Sequence, residues 1–129
     1  MLVVYLSLTG NVRSFVQQVG MESIELNYAN PLIRVNEEYI VIAPTYDDDI
    51  TEVISSFIEY GNNIDFLRGF VGSGNKNFDN SYCFNAVDLA KKYHKPLIFK
   101  FEFSGTDKEK KQFKKEVLKI EESRTQPQS

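Results

Sequence analysis

Apolar positions along this chain follow two rhythms. Solid blocks, "LVVYL" (2–6), "YIVIA" (39–43), "RGFVGSG" (68–74) and "PLIFKFEF" (96–103), read as buried strands; the second is rich in β-branched residues and stopped by Pro44. Between them, apolar residues return every three or four positions. Val12, Phe15, Val16 and Val19 form one stripe. Ile50, Val53, Ile54, Phe57 and Ile58 form a second, closed by "GNN" at 61–63. Phe84, Val87 and Ala90 mark a third, ending near His94 and Pro96, and Phe113, Val117 and Ile120 a fourth. Each spacing predicts a helix with one apolar face. "SIEL" (23–26) is a weak short strand and residues 27–38 carry no clear pattern. The end, "EESRTQPQS", has no apolar rhythm, so one domain is expected over 1–121 and a disordered tail over 122–129.

Alternation of strand and helix implies a mostly parallel sheet with helices on both faces. In such folds ligands sit beyond the carboxyl ends of the strands, where the strand order reverses. The residues after each strand therefore carry the functional information. They are "SLTGN", "PTYDDDI", "GSGNKNFDNSYC" and "SGTD".

In the first loop, Ser7 and Thr9 offer hydroxyl donors and Gly10 allows close approach of a ligand to the backbone. The amides of Asn11 and Val12 fall at a helix N-terminus, an arrangement suited to phosphate. The alternative is a plain helix start capped by Thr9 or Asn11. A P-loop is excluded because Asn75 stands where its lysine should be, and no G-x-G-x-x-G follows the first strand. Phosphate held by neutral donors is what a flavin mononucleotide (FMN) site often looks like. Tyr46, Phe78 and Tyr82 follow later strands and can stack on a planar ring, or can simply cover the core edge. Gly72 and Gly74 would let backbone amides face the ring.

Composition narrows the classes. The chain has 129 residues, 42% of them hydrophobic, and a net charge of −3, which argues against a general nucleic-acid binder. Its apolar runs are too short to cross a bilayer, and the N-terminus has no basic region that would predict a secretory signal. A single cysteine cannot form an internal disulfide, which fits a cytoplasmic protein. The basic run "DKEKKQFKKEVLK" (107–119) reads as a solvated helix face. His94, at a helix end, and Cys83, at a helix start with no partner thiol or nearby histidine, read as structural. No cluster has metal-ligand spacing, and no Ser or Cys has an evident base.

Taken in order, "SLTGNV", "PTY", "GSGNKNF" and "KFEFSGT" resemble the NrdI family, flavodoxin-like proteins that accompany class Ib ribonucleotide reductase. The resemblance covers about residues 1–121, and "GSGNKNF", close to the family's S-G-N-R-N-[WF], is its most specific piece. It implies a flavodoxin-like α/β sandwich with a five-stranded parallel sheet of order 2-1-3-4-5. It implies FMN as cofactor. The implied job is to supply an oxidant, superoxide or peroxide made from O2 by the reduced flavin, to the radical-bearing small subunit of the reductase. The flavin would carry the chemistry, with no catalytic side chain and no metal. A flavodoxin- or ferredoxin-type reductase is the expected electron donor, and a monomer the expected state. The expected binding set is Ser7, Leu8, Thr9, Gly10, Asn11 and Val12; Pro44, Thr45, Tyr46, Asp47 and Asp48; and Ser73, Gly74, Asn75, Asn77, Phe78, Tyr82 and Cys83. Gly105 matches the glycine after the fifth strand.

Relatives often carry a glycine-rich stretch after the third strand; here Asp47, Asp48 and Asp49 follow Tyr46. Asp49 reads as an N-cap before "ITEV", with Glu52 at the capping-box position. A carboxylate about 6 Å from a flavin ring would disfavour its anionic reduced form by about 3 kcal/mol at a dielectric near 20, on the order of 100 mV, and less when exposed. Two other functions share the architecture: a one-electron carrier with the same FMN, and a flavin-free scaffold that only binds the reductase. A phosphorylated receiver would need an acidic pair after the first strand, where this chain has "SLTG".

Overall fold

The computed structural model describes residues 1–75 and 83–125. Five strands, β1 (Leu2–Tyr5), β2 (Ser23–Glu25), β3 (Tyr39–Pro44), β4 (Leu67–Gly74) and β5 (Leu97–Glu102), form one parallel sheet of order 2-1-3-4-5. Among the described residues four α-helices cover it: α1 (Asn11–Val19), α2 (Asp48–Ile58), α3 (Phe84–Tyr93) and α4 (Asp107–Thr125). This is the flavodoxin-like sandwich that the family resemblance implied, with the parallel sheet and two helical layers that the alternation of strand and helix predicted.

Period-two alternation divides the strands between two cores. Val4, Tyr39, Val41 and Ala43 pack with Ile50, Ile54 and Phe57 of α2 and Ala86 and Leu89 of α3. Val3, Ile40, Ile42, Val71 and Phe101 face the other way, against Val12, Phe15 and Val16 of α1 and Phe113 and Val117 of α4. Central strands buried on both sides explain why their sequences read as solid apolar blocks. On the second face Phe15 stacks on Phe101, with ring centroids 3.8 Å apart. Gly105, at φ +77, lies so close that a Cβ there would sit 2.6 Å from the Phe15 ring.

The structure moves several expected boundaries. The α2 cap is Asp47, whose carboxylate accepts from the Asp49 amide; Asp49 itself lies inside the first turn, with Asp48 ahead of it. Neither Thr9 nor Asn11 caps α1, because Gly10 occupies that position. The buried face of α3 carries Asn85, Ala86 and Leu89, whereas the apolar stripe Phe84, Val87 and Ala90 is only partly covered. Ser73 and Gly74 close β4, as the block at 68–74 predicted. Gly72 is also within β4, where a Cβ would lie 2.7 Å from Cys83 Cβ; its role is to seat α3 closely, not to present an amide to a ring. The helix α4 opens on a capping box in which Thr106 and Glu109 exchange backbone bonds, and it runs to Thr125, past the expected domain end at 121. The patternless 27–38 segment is held by a polar side chain: the buried Asn63 accepts from the Val35 amide and donates to the Ile33 carbonyl.

Candidate functional site

Strand order reverses between β1 and β3, and the carboxyl ends of these strands and of β4 and β5 frame one cleft of about 210 Å³. Its walls are Leu8, Thr9, Asn11 and Val12 from the first loop, Pro44, Thr45 and Tyr46 after β3, Ser73, Gly74 and Asn75 at the end of β4, and Phe103 after β5. None of these residues is charged.

The first loop leaves a helix tip open. Gly10 is the α1 N-cap at φ +91, and no side chain caps the helix. That left-handed turn suits glycine, and the space where its Cβ would go is empty to 4 Å. The first amides of α1, those of Asn11 and Val12, have no intrahelical acceptor. The Arg13 amide is turned back to Ser7 Oγ at 3.3 Å. No acidic residue lies in the first turn to neutralise the helix dipole.

The nearest cation of this helix is committed elsewhere. Arg13 donates to both Glu25 carboxylate oxygens, at 2.7 and 2.6 Å, and Tyr5 Oη donates to the same group at 3.0 Å. Hydrogen bonding from Arg13 holds the Glu25 carboxyl below its ordinary pKa. Burial, then Glu25, pushes the Tyr5 hydroxyl up. The open tip is thus served by backbone amides and the Thr9 hydroxyl, without a guanidinium.

The other walls are braced by hydrogen bonds of their own. Thr45 Oγ1 donates to the Ser73 carbonyl at 2.7 Å, and Ser73 Oγ donates to the Phe103 carbonyl at 2.8 Å. Both hydroxyl protons are spent on the scaffold, so Thr45 and Ser73 build the cleft and do not donate into it. The Phe103 amide returns to the Gly74 carbonyl at 3.0 Å. Phe103 itself sits at φ +52 with half its surface exposed, a strained conformation for an aromatic residue. Tyr46 is 67% exposed at the cleft's other side. Two apolar rings thus stand at the mouth of an uncharged cleft whose floor carries helix-tip amides.

Residues 3–115 match the family described as NrdI flavodoxin-like. The chain belongs to that family. A protein NrdI from Bartonella tribocorum is 32% identical over 114 residues, covering 84% of this chain and 86% of that protein; its counterpart in Bartonella quintana shows the same identity and coverage. Among solved structures, a Streptococcus pneumoniae flavodoxin superposes with a TM-score of 0.62 at 16% identity, covering 95% of this chain and 97% of that one. A Fusobacterium nucleatum flavodoxin bound to flavin mononucleotide superposes at 0.51 and 17% identity, covering 95% and 96%. A response regulator from Colwellia psychrerythraea reaches 0.58 at 18% identity, covering 94% and 97%, so these likenesses speak for the fold alone.

Within the NrdI frame, the residues expected from sequence distribute unevenly. Thr9, Asn11 and Val12, Thr45 and Tyr46, and Ser73, Gly74 and Asn75 meet at the cleft with Leu8 and Pro44. Gly10 shapes the turn and Ser7 fastens it. Asp47 and Asp48 lie at the exposed start of α2, beside the cleft and outside its lining. Cys83 is fully buried, packed against Gly72 in a left-handed turn before α3, and presents no thiol to the cleft. Asn77, Phe78 and Tyr82 lie outside the described residues. Sequence reading overlooked two residues, Phe103 and Asn85. Phe103 lies in the turn after β5, whereas the apolar block "PLIFKFEF" marked it as one more strand position. Asn85 is an amide inside an apolar helical stretch, a polar intrusion that could have flagged it. It is wholly buried; its Oδ1 accepts from the Tyr46 amide at 2.9 Å.

Proposed function

We propose that this NrdI-family chain binds FMN in the cleft and serves as the redox partner that activates the radical-bearing small subunit of a class Ib-type ribonucleotide reductase. The observation that carries the reading is the α1 tip: a helix N-terminus capped only by glycine, clear space above that turn, no acid in the first turn, and an Arg13 already paired with Glu25. Such a tip fits a phosphate monoester through neutral donors. The chain's residues also fit the rest of the group, since Tyr46 and Phe103 offer flat apolar surfaces beside backbone amides and carbonyls of Gly74 and Asn75. The FMN named with the Fusobacterium flavodoxin agrees with this fit.

When bound, reduced flavin supplies the electrons that convert O2 into superoxide or peroxide. The protein's share is binding and access. Asn11, Val12 and Thr9 would hold the phosphate end; Thr45 and Ser73 fix the walls; Tyr46 and Phe103 would flank the ring and limit how water and O2 reach it. Electrons would arrive from a flavodoxin- or ferredoxin-type reductase, and the oxidant would leave toward the radical subunit.

Purified protein incubated with FMN should turn yellow, with bands near about 375 and 450 nm, and retain the colour through gel filtration. A colourless protein that refuses micromolar FMN sinks the proposal and leaves a flavin-free scaffold. Reduced, FMN-loaded protein mixed with O2 and the metal-loaded radical subunit should generate the tyrosyl radical signal. If electrons pass to acceptors but no radical forms, the chain is a one-electron carrier.

A further inference from the structure

Tyr46 presents a puzzle of support. Its ring is 67% exposed, so packing contributes little to holding it at the cleft. The backbone on either side must therefore determine where the ring stands. One side chain grips that backbone from outside the loop. Asn85, wholly buried in the first turn of α3, accepts from the Tyr46 amide at 2.9 Å through Oδ1. Through Nδ2 it donates to the Asp47 carbonyl at 2.8 Å and to Thr51 Oγ1 at 3.2 Å. Both halves of one amide are thus engaged, on the amide before the Tyr46 side chain and on the carbonyl one residue beyond it.

We infer that Asn85 is a positioning residue that holds Tyr46 at the rim of the cleft against the flavin ring; the inference rests on the FMN reading above. The chain of causes starts further back. Gly72 in β4 has no Cβ, so Cys83 and Ala86 come within 2.7 and 3.0 Å of the place one would occupy. That close seat brings α3 down onto the sheet and its second residue, Asn85, into reach of the loop after β3. No aspartate or serine reproduces the grip. An aspartate keeps the acceptor for Tyr46 but turns a carboxylate on the Asp47 carbonyl, and a serine is too short to span both partners. A buried amide with both ends satisfied also resists rotation, because turning it would set donor against donor and acceptor against acceptor.

A loop fixed in this way differs from one that takes its shape from glycine. Asp47 to Asp49 follow Tyr46, and the segment owes its conformation to an α2 cap at one end and to Asn85 across it. The clamp lets non-glycine residues occupy a ligand-facing turn without leaving the aromatic ring to wander.

The test compares wild type with Asn85→Ala and Asn85→Asp, using FMN titration, residual fluorescence of the bound flavin, and thermal unfolding. Stacking on an aromatic ring quenches flavin emission, so this signal reports the position of Tyr46 and not global stability. Asn85→Ala should weaken FMN binding by about tenfold and raise the residual emission. Asn85→Asp, which keeps one of the bonds, should fall between it and wild type. Tyr46→Ala should match the emission of Asn85→Ala, and adding Asn85→Ala to it should change emission no further. Wild-type affinity and quenching in both Asn85 variants, whatever their melting temperatures, overturn the inference. If Asn85→Ala does not fold, the aspartate variant decides by the same two readings. A wild-type chain that takes up no FMN overturns the flavin reading itself, a result distinct from a wild type that binds beside variants that bind equally well.

Discussion

Two helices begin at the carboxyl ends of neighbouring strands, on opposite faces of the sheet, and they begin in opposite ways. The α2 helix follows β3 and supplies its own anion: Asp47 caps it, the Asp49 amide is satisfied, and Asp48 and Asp49 face the positive end of the dipole. The α1 helix follows β1 and supplies none: its cap is Gly10, the Arg13 amide finds only the neutral Ser7 hydroxyl, and no acid enters its first turn. Both tips carry the same backbone groups and the same partial charge. The difference lies in what the sequence puts beside them. A helix start that satisfies itself is a structural joint; one left open next to a cleft is available to a ligand. Arg13 sharpens the contrast, since the cation of α1 itself is tied to Glu25.

The largest test makes the open tip resemble the closed one. Gly10→Asp places a carboxylate where the phosphate should lie, and FMN affinity should fall on the order of a hundredfold at constant ionic strength. A Cβ at that position meets no neighbour, but φ +91 strains any L side chain and should lower the melting temperature, so Gly10→Ala, which carries the same strain without the charge, is the reference and should bind FMN far better than Gly10→Asp. Equal affinity in the two variants would remove α1 from the site.

The converse experiment opens the closed tip. Asp47→Ala should cost about 1 kcal/mol of stability, read as a drop of about 4 °C in melting temperature, while Asp47→Asn should retain most of the cap. If the alanine variant melts with wild type, the cap contributes nothing and the contrast loses its structural half.

A smaller effect concerns the charge that the closed tip projects toward the cleft. Changing Asp47 and Asp48 together to Asn keeps a capping side chain and removes two carboxylates. The potential for the second electron of bound FMN should rise by tens of millivolts at low salt, because both carboxylates are solvent-exposed and screened. A fall in potential would show that these acids do not act on the flavin through space.

The smallest effect belongs to the Arg13–Glu25 pair. The folded protein holds Glu25 below its unfolded pKa. Its contribution is therefore present above the unfolded value and is lost as the pH falls through the folded one. Glu25→Gln should flatten the acid limb of a stability-against-pH curve and leave the neutral limb little changed, since the pair is largely exposed. An unchanged acid limb would mean that the pair does not hold α1 against β2.

Much of this architecture was legible in the order of apolar residues. Central strands must be apolar on both faces and helices on one, and those two requirements leave different periods in the chain. The order of loops after strands then pointed to Thr9–Val12, Pro44–Tyr46 and Ser73–Asn75, which the fold brings to one cleft. Pattern reading failed where polar groups solve a tertiary problem. It assigned the α2 cap to Asp49, because three consecutive aspartates offer the same chemistry and only the path of the chain selects Asp47. It took Phe84, Val87 and Ala90 as the buried face of α3, because apolarity is a local property, whereas the helix turns to bring Asn85 onto the loop after β3.

The sequence alone determined the sheet, its helices and the family, since each depends on residue types at short spacings; it left the first loop open between a ligand turn and a start capped by Thr9 or Asn11, and the fold placed Gly10 at the cap. Tertiary structure decided which hydroxyls remain for a ligand, which aspartate closes α2, and how Asn85 and Phe103 reach the cleft. The cap itself is a bond between Asp47 and Asp49, but the other outcomes depend on hydrogen bonds between residues about thirty or more apart in the chain, such as Thr45 to Ser73, Ser73 to Phe103 and Asn85 to Tyr46. No local pattern encodes such a distance; only the packed fold brings the partners together.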